Sequence, residues 1–370
     1  MGRSVIAAAL CAALTVPSCS LPRHTDHPGQ DPAPATAAAG RFPVGMRELH
    51  LSRKADRPLR TLVLFPGLPT RRNPVPQPAP AVVTPRPDTE PRPGSYPLVL
   101  FSHGLHGSPE RYAPAAASWA AAGFVVALPA FPYTNRTSNP YVRGDYANQP
   151  ADAEYVLKKV AALAVTPGDP LHGLIDPTRI VAVGHSAGGY TTTGLFRGGH
   201  SRRIKGGVVI AGWAAPGAFA GPPARMLFLH AENDATVPIA DGRAAYRRVG
   251  WPGKRFELLR GAGHAAYMLP GRPGYTEMDR LVTDFLLRTV GGPSQAPWQR
   301  VQAYPAAVDP GPARRVLAGA AVRSFVAGPF PRVAAGPLPH AVAGPLPRAV
   351  TDRAAAASGR RPDGAQVPAG

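Results

Sequence analysis

Cysteine is nearly absent: Cys11 and Cys19 are the only two in 370 residues. Both lie in the first 19 residues, so the rest of the chain holds no disulfide, no thiolate zinc site and no cysteine nucleophile. Lysine is scarce too, 5 against 36 arginines, and acidic residues number 22 against 41 basic ones, a formal charge of +19. That excess is spread along the chain, at about +6, +7 and +6 for residues 1–94, 95–290 and 291–370. No zinc-finger spacing or aromatic-basic motif accompanies it, so no nucleic-acid partner is expected and the charge reads as a solvated basic surface. Weak attraction to anionic lipid or cell-wall polymer is the alternative for so basic a chain. The sequence has no His-Glu-x-x-His and no glycine-rich phosphate loop. His24 and His27 stand in a polar stretch and read as solvated side chains, so neither metal nor cofactor is expected.

Long apolar runs are missing as well. The longest near the N-terminus, Val5 to Val16, is too short to span a bilayer; it follows Met1-Gly2-Arg3 and precedes Pro17-Ser18-Cys19. This is the layout of an export signal over residues 1–19, and Val16-Pro17-Ser18-Cys19 resembles a bacterial lipobox with Cys19 as the acylated residue. The expectation is an exported chain, either secreted or held at the cell surface through Cys19, with residues 20–40 as a disordered Pro/Ala-rich tether.

Punctuation is plentiful. Between Pro66 and Pro97 come 11 prolines, which reads as an extended surface loop, over the site or far from it. On either side of that loop, short β-branched or apolar runs alternate with helical stretches. Strands are expected at Met46–Leu51, Leu59–Phe65, Leu98–Phe101, Phe124–Leu128, around Ile180, at Gly207–Ala211, Arg225–His230 and Arg255–Leu259. Helices are expected at Pro109–Ala122, Asp152–Leu163, Gly189–Phe196, Ile239–Val249 and Tyr275–Val290. The alternation predicts an α/β class fold, a doubly wound, mostly parallel sheet in a single domain over residues 41–291, with ligands at the strands' carboxyl ends. Residues 292–370 hold 13 prolines and an eight-residue repeat at Ala327, Ala335 and Ala343, and read as a disordered tail.

Chemistry concentrates at Gly184-His185-Ser186-Ala187-Gly188. Chance gives G-x-S-x-G roughly once in six chains of this composition, so its surroundings decide. Here an apolar strand precedes it and a helix follows. A serine on such a turn takes a strained backbone with its hydroxyl projecting, and side chains two residues away would collide, which explains Gly184 and Gly188. A serine nucleophile needs a base, an acid to orient it and oxyanion donors. Asp234 lies in the loop past the Met226–Leu229 strand and is preferred to Glu232, which is too near the strand end. His264 follows the next strand after Gly261-Ala262-Gly263, and it alone of 11 histidines has both the order and the placement. The oxyanion donors expected are the backbone N–H groups of Ala187 and of Leu105, in Ser102-His103-Gly104-Leu105.

These stretches, with Tyr96 to Gly104, Ala122 to Val126, Asn148 to Asp152 and Ala231 to Asp234, resemble the α/β-hydrolase superfamily over residues 45–290. More narrowly they resemble exported serine esterases: cutinase-like polyester hydrolases, chlorophyllases and platelet-activating-factor acetylhydrolases. Leu105 is more like the acetylhydrolase group, and Ala187 stands where polyester hydrolases usually have methionine. The resemblance implies that Trp213 stacks on substrate. Phe131, Tyr133 and Tyr267 are read as further substrate contacts on loops at the same rim. The expected protein is a monomeric serine esterase for small-molecule or polymeric esters, preferring acyl chains up to about six carbons because no amphipathic lid is visible. An acyltransferase with the same triad and a non-catalytic surface lipoprotein keeping the fold are the alternatives.

Overall fold

The computed structural model describes residues 41–76 and 82–293. The expected signal at 1–19 with Cys19, the tether at 20–40 and all but the first two residues of the expected tail lie outside the described residues.

The chain forms one eight-stranded sheet. Its strands are β1 (Val44–Ser52), β2 (Pro58–Pro66), β3 (Tyr96–Ser102), β4 (Val125–Pro129), β5 (Ile175–His185), β6 (Ile204–Ile210), β7 (Arg225–Ala231) and β8 (Lys254–Leu259). They lie in the order β1-β2-β4-β3-β5-β6-β7-β8. The β1–β2 hairpin is antiparallel, as is its junction with β4; every other pairing is parallel. The helices are α1 (Pro109–Ala121), α2 (Gln149–Ala162), α3 (Ala187–Gly194), α4 (Ile239–Arg248) and α5 (Tyr275–Val290).

Both faces of the sheet are covered, and the period-two alternation of strands sorts the core into two layers. Val99 and Phe101, Val126 and Leu128, Val181 and Val183, and Leu227 and Leu229 pack with α1 and α5. Leu98 and Leu100, Val125 and Ala127, Ile180 and Ala182, and Met226 and Phe228 face the opposite layer, with α2 and α4. This double burial is why the strands read as continuous apolar runs. The mostly parallel sheet and the α/β class follow the sequence expectation.

Boundaries shift where proline or pairing overrides periodicity. Helix α2 begins at Gln149, three residues before the expected start, because Pro150 fits the first helical turn, where its missing N–H leaves nothing unpaired. Strand β5 begins at Ile175, since Ile175 and Asp176 pair with Tyr96 and Pro97 ahead of a register shift. The described parts of the proline-rich connection bridge to β1 and β2: Arg86 N–H donates to Val44 O, Met46 N–H donates to Arg86 O, and Arg92 N–H donates to Pro66 O. They therefore border a strand four positions from β5.

Candidate active site

Six connections gather at the carboxyl ends of the parallel strands, after β3, β4, β5, β6, β7 and β8. Strand β5 ends at His185, and Ser186 turns the chain into α3 with φ 59° and ψ −122°, a backbone that L-residues rarely adopt. The turn is held by Ser186 N–H donating to Ile210 O at 2.8 Å. The glycines around it are dictated by contact. A Cβ on Gly184 would lie 2.0 Å from Gly188 O, and one on Gly188 would lie 1.9 Å from Ser102 O. A Cβ on Gly104 would lie 2.9 Å from the Ser186 Cβ, so the loop after β3 rests directly against the serine.

His264, beyond β8, donates from Nδ1 to Asp234 Oδ2 at 2.8 Å. The Asp234 side chain is fully buried. Its Oδ1 accepts the Thr236 and Val237 N–H groups at 2.9 and 2.8 Å. Burial pushes this carboxyl up, but the hydrogen bond and charge of His264 and the two backbone donors outweigh it and hold the group below its ordinary value. His230 Nε2 donates to Val237 O at 2.9 Å, tightening the same loop. Glu232 is exposed. With Nδ1 committed to the carboxylate, Nε2 is the basic atom of His264. Ser186 Oγ has no hydrogen-bond partner among the described residues, and serine–base contacts of this kind often tighten only with substrate in place.

His185 was not singled out in the sequence, yet it ties the serine's strand to the histidine's loop. Its ring is buried, Nε2 donates to the His264 backbone oxygen at 2.7 Å, and Nδ1 accepts from the Tyr112 hydroxyl at 3.1 Å. The two imidazoles lie 4.8 Å apart. His103 does the same for the β3 loop: Nδ1 donates to Gly104 O at 2.7 Å and Nε2 accepts Phe131 N–H at 3.1 Å. Both rings thus have one donor and one acceptor nitrogen engaged, the pattern of neutral imidazole. Burial lowers His103 from 6.5 to about 4. Burial, followed by the charge of His264, lowers His185 from 6.5 to about 3.

These two rings make stability pH-dependent. A histidine whose folded value is depressed takes up its proton more readily when unfolded, so its contribution is complete above pH 6.5 and is lost as pH falls toward 4 and 3. Two such groups give a loss of roughly 2–4 kcal/mol between pH 7 and pH 5. Urea titrations at both pH values should show that loss, and His185→Gln should remove about half of it. A pH-independent midpoint would contradict neutral burial of the two rings.

Leu105 sits in a turn closed by Gly107 N–H donating to Gly104 O at 2.9 Å, with His106 at φ 54°. Its N–H and that of Ala187, in the first turn of α3, have no acceptor among the described residues. The structure therefore leaves the two N–H groups singled out in the sequence available beside Ser186.

The rim departs from expectation in part. Phe131 and Tyr267 are both 0% exposed, so neither touches a substrate; Phe131 packs on His103 and Tyr267 packs edge-on to His185. Both occupy carboxyl-end loops, but each ring turns inward to support a buried histidine. Tyr133 stays partly exposed, its hydroxyl donating to Asp56 O at 2.8 Å. Trp213, past β6, is also partly exposed and meets two tyrosines the sequence did not distinguish. Its ring lies 5.8 Å from both Tyr146 and Tyr190, and those two are 5.0 Å apart, edge to face. Tyr190 is one helical turn beyond Ser186, the spacing that could have drawn attention to it. Among the described residues no group of three His, Cys, Asp or Glu side chains is placed to hold a metal, and no helix is long and apolar enough to cross a membrane.

Residues 83–160 match the model of a family described as platelet-activating factor acetylhydrolase, isoform II. The match takes in β3, the Leu105 loop and α1 through most of α2, and ends before Ser186. No curated protein matches the chain. Among solved structures, a ferulic acid esterase from Streptomyces cinnamoneus is similar at a TM-score of 0.55 and 21% identity, covering 74% of this chain and 96% of that one. The likeness extends over nearly that whole enzyme and fixes the architecture as the α/β-hydrolase fold.

Proposed function

The chain is an α/β-hydrolase by fold, and on that premise we propose that it is a serine hydrolase of carboxylic esters working through an acyl-enzyme. The observation that carries this reading is the His264–Asp234 hydrogen bond of 2.8 Å beside a serine held at φ 59° on the strand-to-helix turn. Ser186 Oγ attacks the acyl carbonyl carbon while His264 Nε2 takes its proton. The N–H groups of Leu105 and Ala187 hold the oxyanion, each lowering the barrier by on the order of 3 kcal/mol. Collapse breaks the ester C–O bond and His264 returns the proton to the leaving alcohol. Water, deprotonated by His264, then releases the acid and restores the serine. Asp234, ionised by its buried donors, orients the imidazole and balances the imidazolium formed in each half-reaction.

The site favours short or compact acyl groups. Residues 211–224, between β6 and β7, contain no helix, so no lid with an apolar face is built there. Trp213 packs with Tyr146 and Tyr190, the latter one helical turn beyond Ser186, in an aromatic cluster past β6. The full chain should hydrolyse p-nitrophenyl acetate to hexanoate at least tenfold faster, by kcat/KM, than the palmitate ester, and Ser186→Ala should abolish turnover. Equal or faster cleavage of the palmitate ester would overturn the size preference. A folded wild type without Ser186-dependent turnover would overturn the reading itself. Transfer of the acyl group to an added alcohol in preference to water would move it to an acyltransferase.

A further inference from the structure

Behind the two N–H groups runs a buried polar chain with no part in the proton transfers. Gln149, in the first turn of α2, donates from Nε2 to Thr134 Oγ1 at 2.9 Å. Its Oε1 accepts the Thr191 hydroxyl at 2.6 Å. All three side chains are 0% exposed. Each end of the chain is bonded to one half of the oxyanion site. Thr134 O accepts His106 N–H at 2.9 Å, fixing the residue after Leu105. Thr191 Oγ1 lies 3.0 Å from Ala187 O, sharing its single proton between that carbonyl and Gln149.

A glutamine buried between two threonines is costly to keep unless every atom is placed. An apolar side chain would fill the same space between α2 and α3. We propose that Thr134, Gln149 and Thr191 are positioning residues that set the separation and aim of the Leu105 and Ala187 N–H groups, so that both reach one oxyanion. The inference rests on the ester-hydrolase reading for its catalytic consequence. The geometry explains the need: the two donors come from different elements, the β3 loop and the α3 terminus, and the β3–β5 ladder ends at the Ser102–Gly184 pair, three residues short of each. A displacement of about 1 Å between such donors is enough to cost a hundredfold in rate.

Thr191→Val keeps the shape and deletes the hydroxyl, and Gln149→Met keeps the length and deletes both bonds. Each should lower kcat at least tenfold on p-nitrophenyl butyrate with KM within twofold, and weaken a trifluoromethyl ketone inhibitor by a matching factor. The double variant should be no worse than the poorer single one, because both cut one chain. Thr191→Ser, which retains the hydroxyl, should return kcat to near wild type. Amide hydrogen exchange supplies a readout that needs no turnover: Leu105 to Gly107 should exchange faster in Thr191→Val while the central strands stay protected. Unchanged kcat and unchanged exchange in Thr191→Val would overturn the proposal, as would a Thr191→Ser variant as slow as Thr191→Val. Wild-type protein lacking Ser186-dependent turnover would instead defeat the ester-hydrolase reading, and the exchange result would still decide whether this chain holds the loop.

Discussion

Ser186→Ala and Ser186→Gly should lose the same activity and differ in stability. Both remove the nucleophile, and kcat on a short p-nitrophenyl ester should fall by on the order of 10⁵ or more. Alanine keeps a Cβ at φ 59° and ψ −122°, so it inherits the strain that serine bears there. Glycine adopts that backbone freely, and Ser186 Oγ has no hydrogen bond to another described residue to forfeit. Ser186→Gly should therefore be more stable than wild type by about 1–2 kcal/mol, whereas Ser186→Ala stays within about 0.5 kcal/mol of it. Urea unfolding of the three proteins at pH 7.5 measures the difference. A Ser186→Gly protein no more stable than wild type would mean that the strained turn costs nothing, and retained turnover in either variant would remove Ser186 from the nucleophile's place. The strain belongs to the site because the geometry that projects the hydroxyl past β5 is the one the surrounding contacts must enforce. Gly104, Gly184 and Gly188 are the residues that let them do so.

Much of this architecture was legible because the parallel sheet buries both faces. An apolar run such as Leu98 to Phe101 leaves no reading but a central strand, and the serine turn announces itself through glycines that sterics require. Chain order then pointed to Asp234 and His264, which the structure brings into hydrogen-bond contact. What stayed hidden was the direction of side chains on irregular segments. Phe131, Tyr133, Tyr267 and Trp213 all follow strands and looked alike in sequence. Two point inward beneath buried histidines, a distinction set by tertiary partners such as His103 and His185 that lie far off in sequence. The Thr134–Gln149–Thr191 chain was invisible for the same reason, since each residue alone is an ordinary polar residue in a loop or helix. The corrections thus fall on supporting groups, whose identity depends on who their neighbours become.

Arg57→Met should be the most destabilising single change on the face opposite α1 and α5, at about 3–5 kcal/mol. Arg57, at the β1–β2 turn, is buried with its guanidinium between Asp145 and Asp152. Two nitrogens reach Asp145 at 2.9 Å, and Nε reaches Asp152 Oδ1 at 3.0 Å. Its hydrogen bonds to Asp152 and then to Asp145 raise the guanidinium's affinity for its proton against the opposing effect of burial. Among the described residues, Asp152, 0% exposed, keeps only Arg53, at 2.6 Å, if Arg57 is lost, and Asp145, 8% exposed, keeps only Asn148. Asp145 is thereby left without a cationic partner and Asp152 with one in place of two, and a buried carboxylate so deprived costs far more than the pair contributed, which is why deleting one partner is worse than replacing all of them. The same carboxylates anchor the start of α2 and the segment before it, with Tyr133 held against this hairpin turn as well. Loss of Arg57 should therefore loosen residues 131–149 first, taking Thr134 and Gln149 with them, and kcat should fall before global unfolding sets in. Replacing Arg57, Asp145 and Asp152 together by Met, Leu and Leu should recover most of the stability, which urea titration reads directly. If Arg57→Met alone costs less than about 1 kcal/mol, the cluster is not the clamp its burial implies.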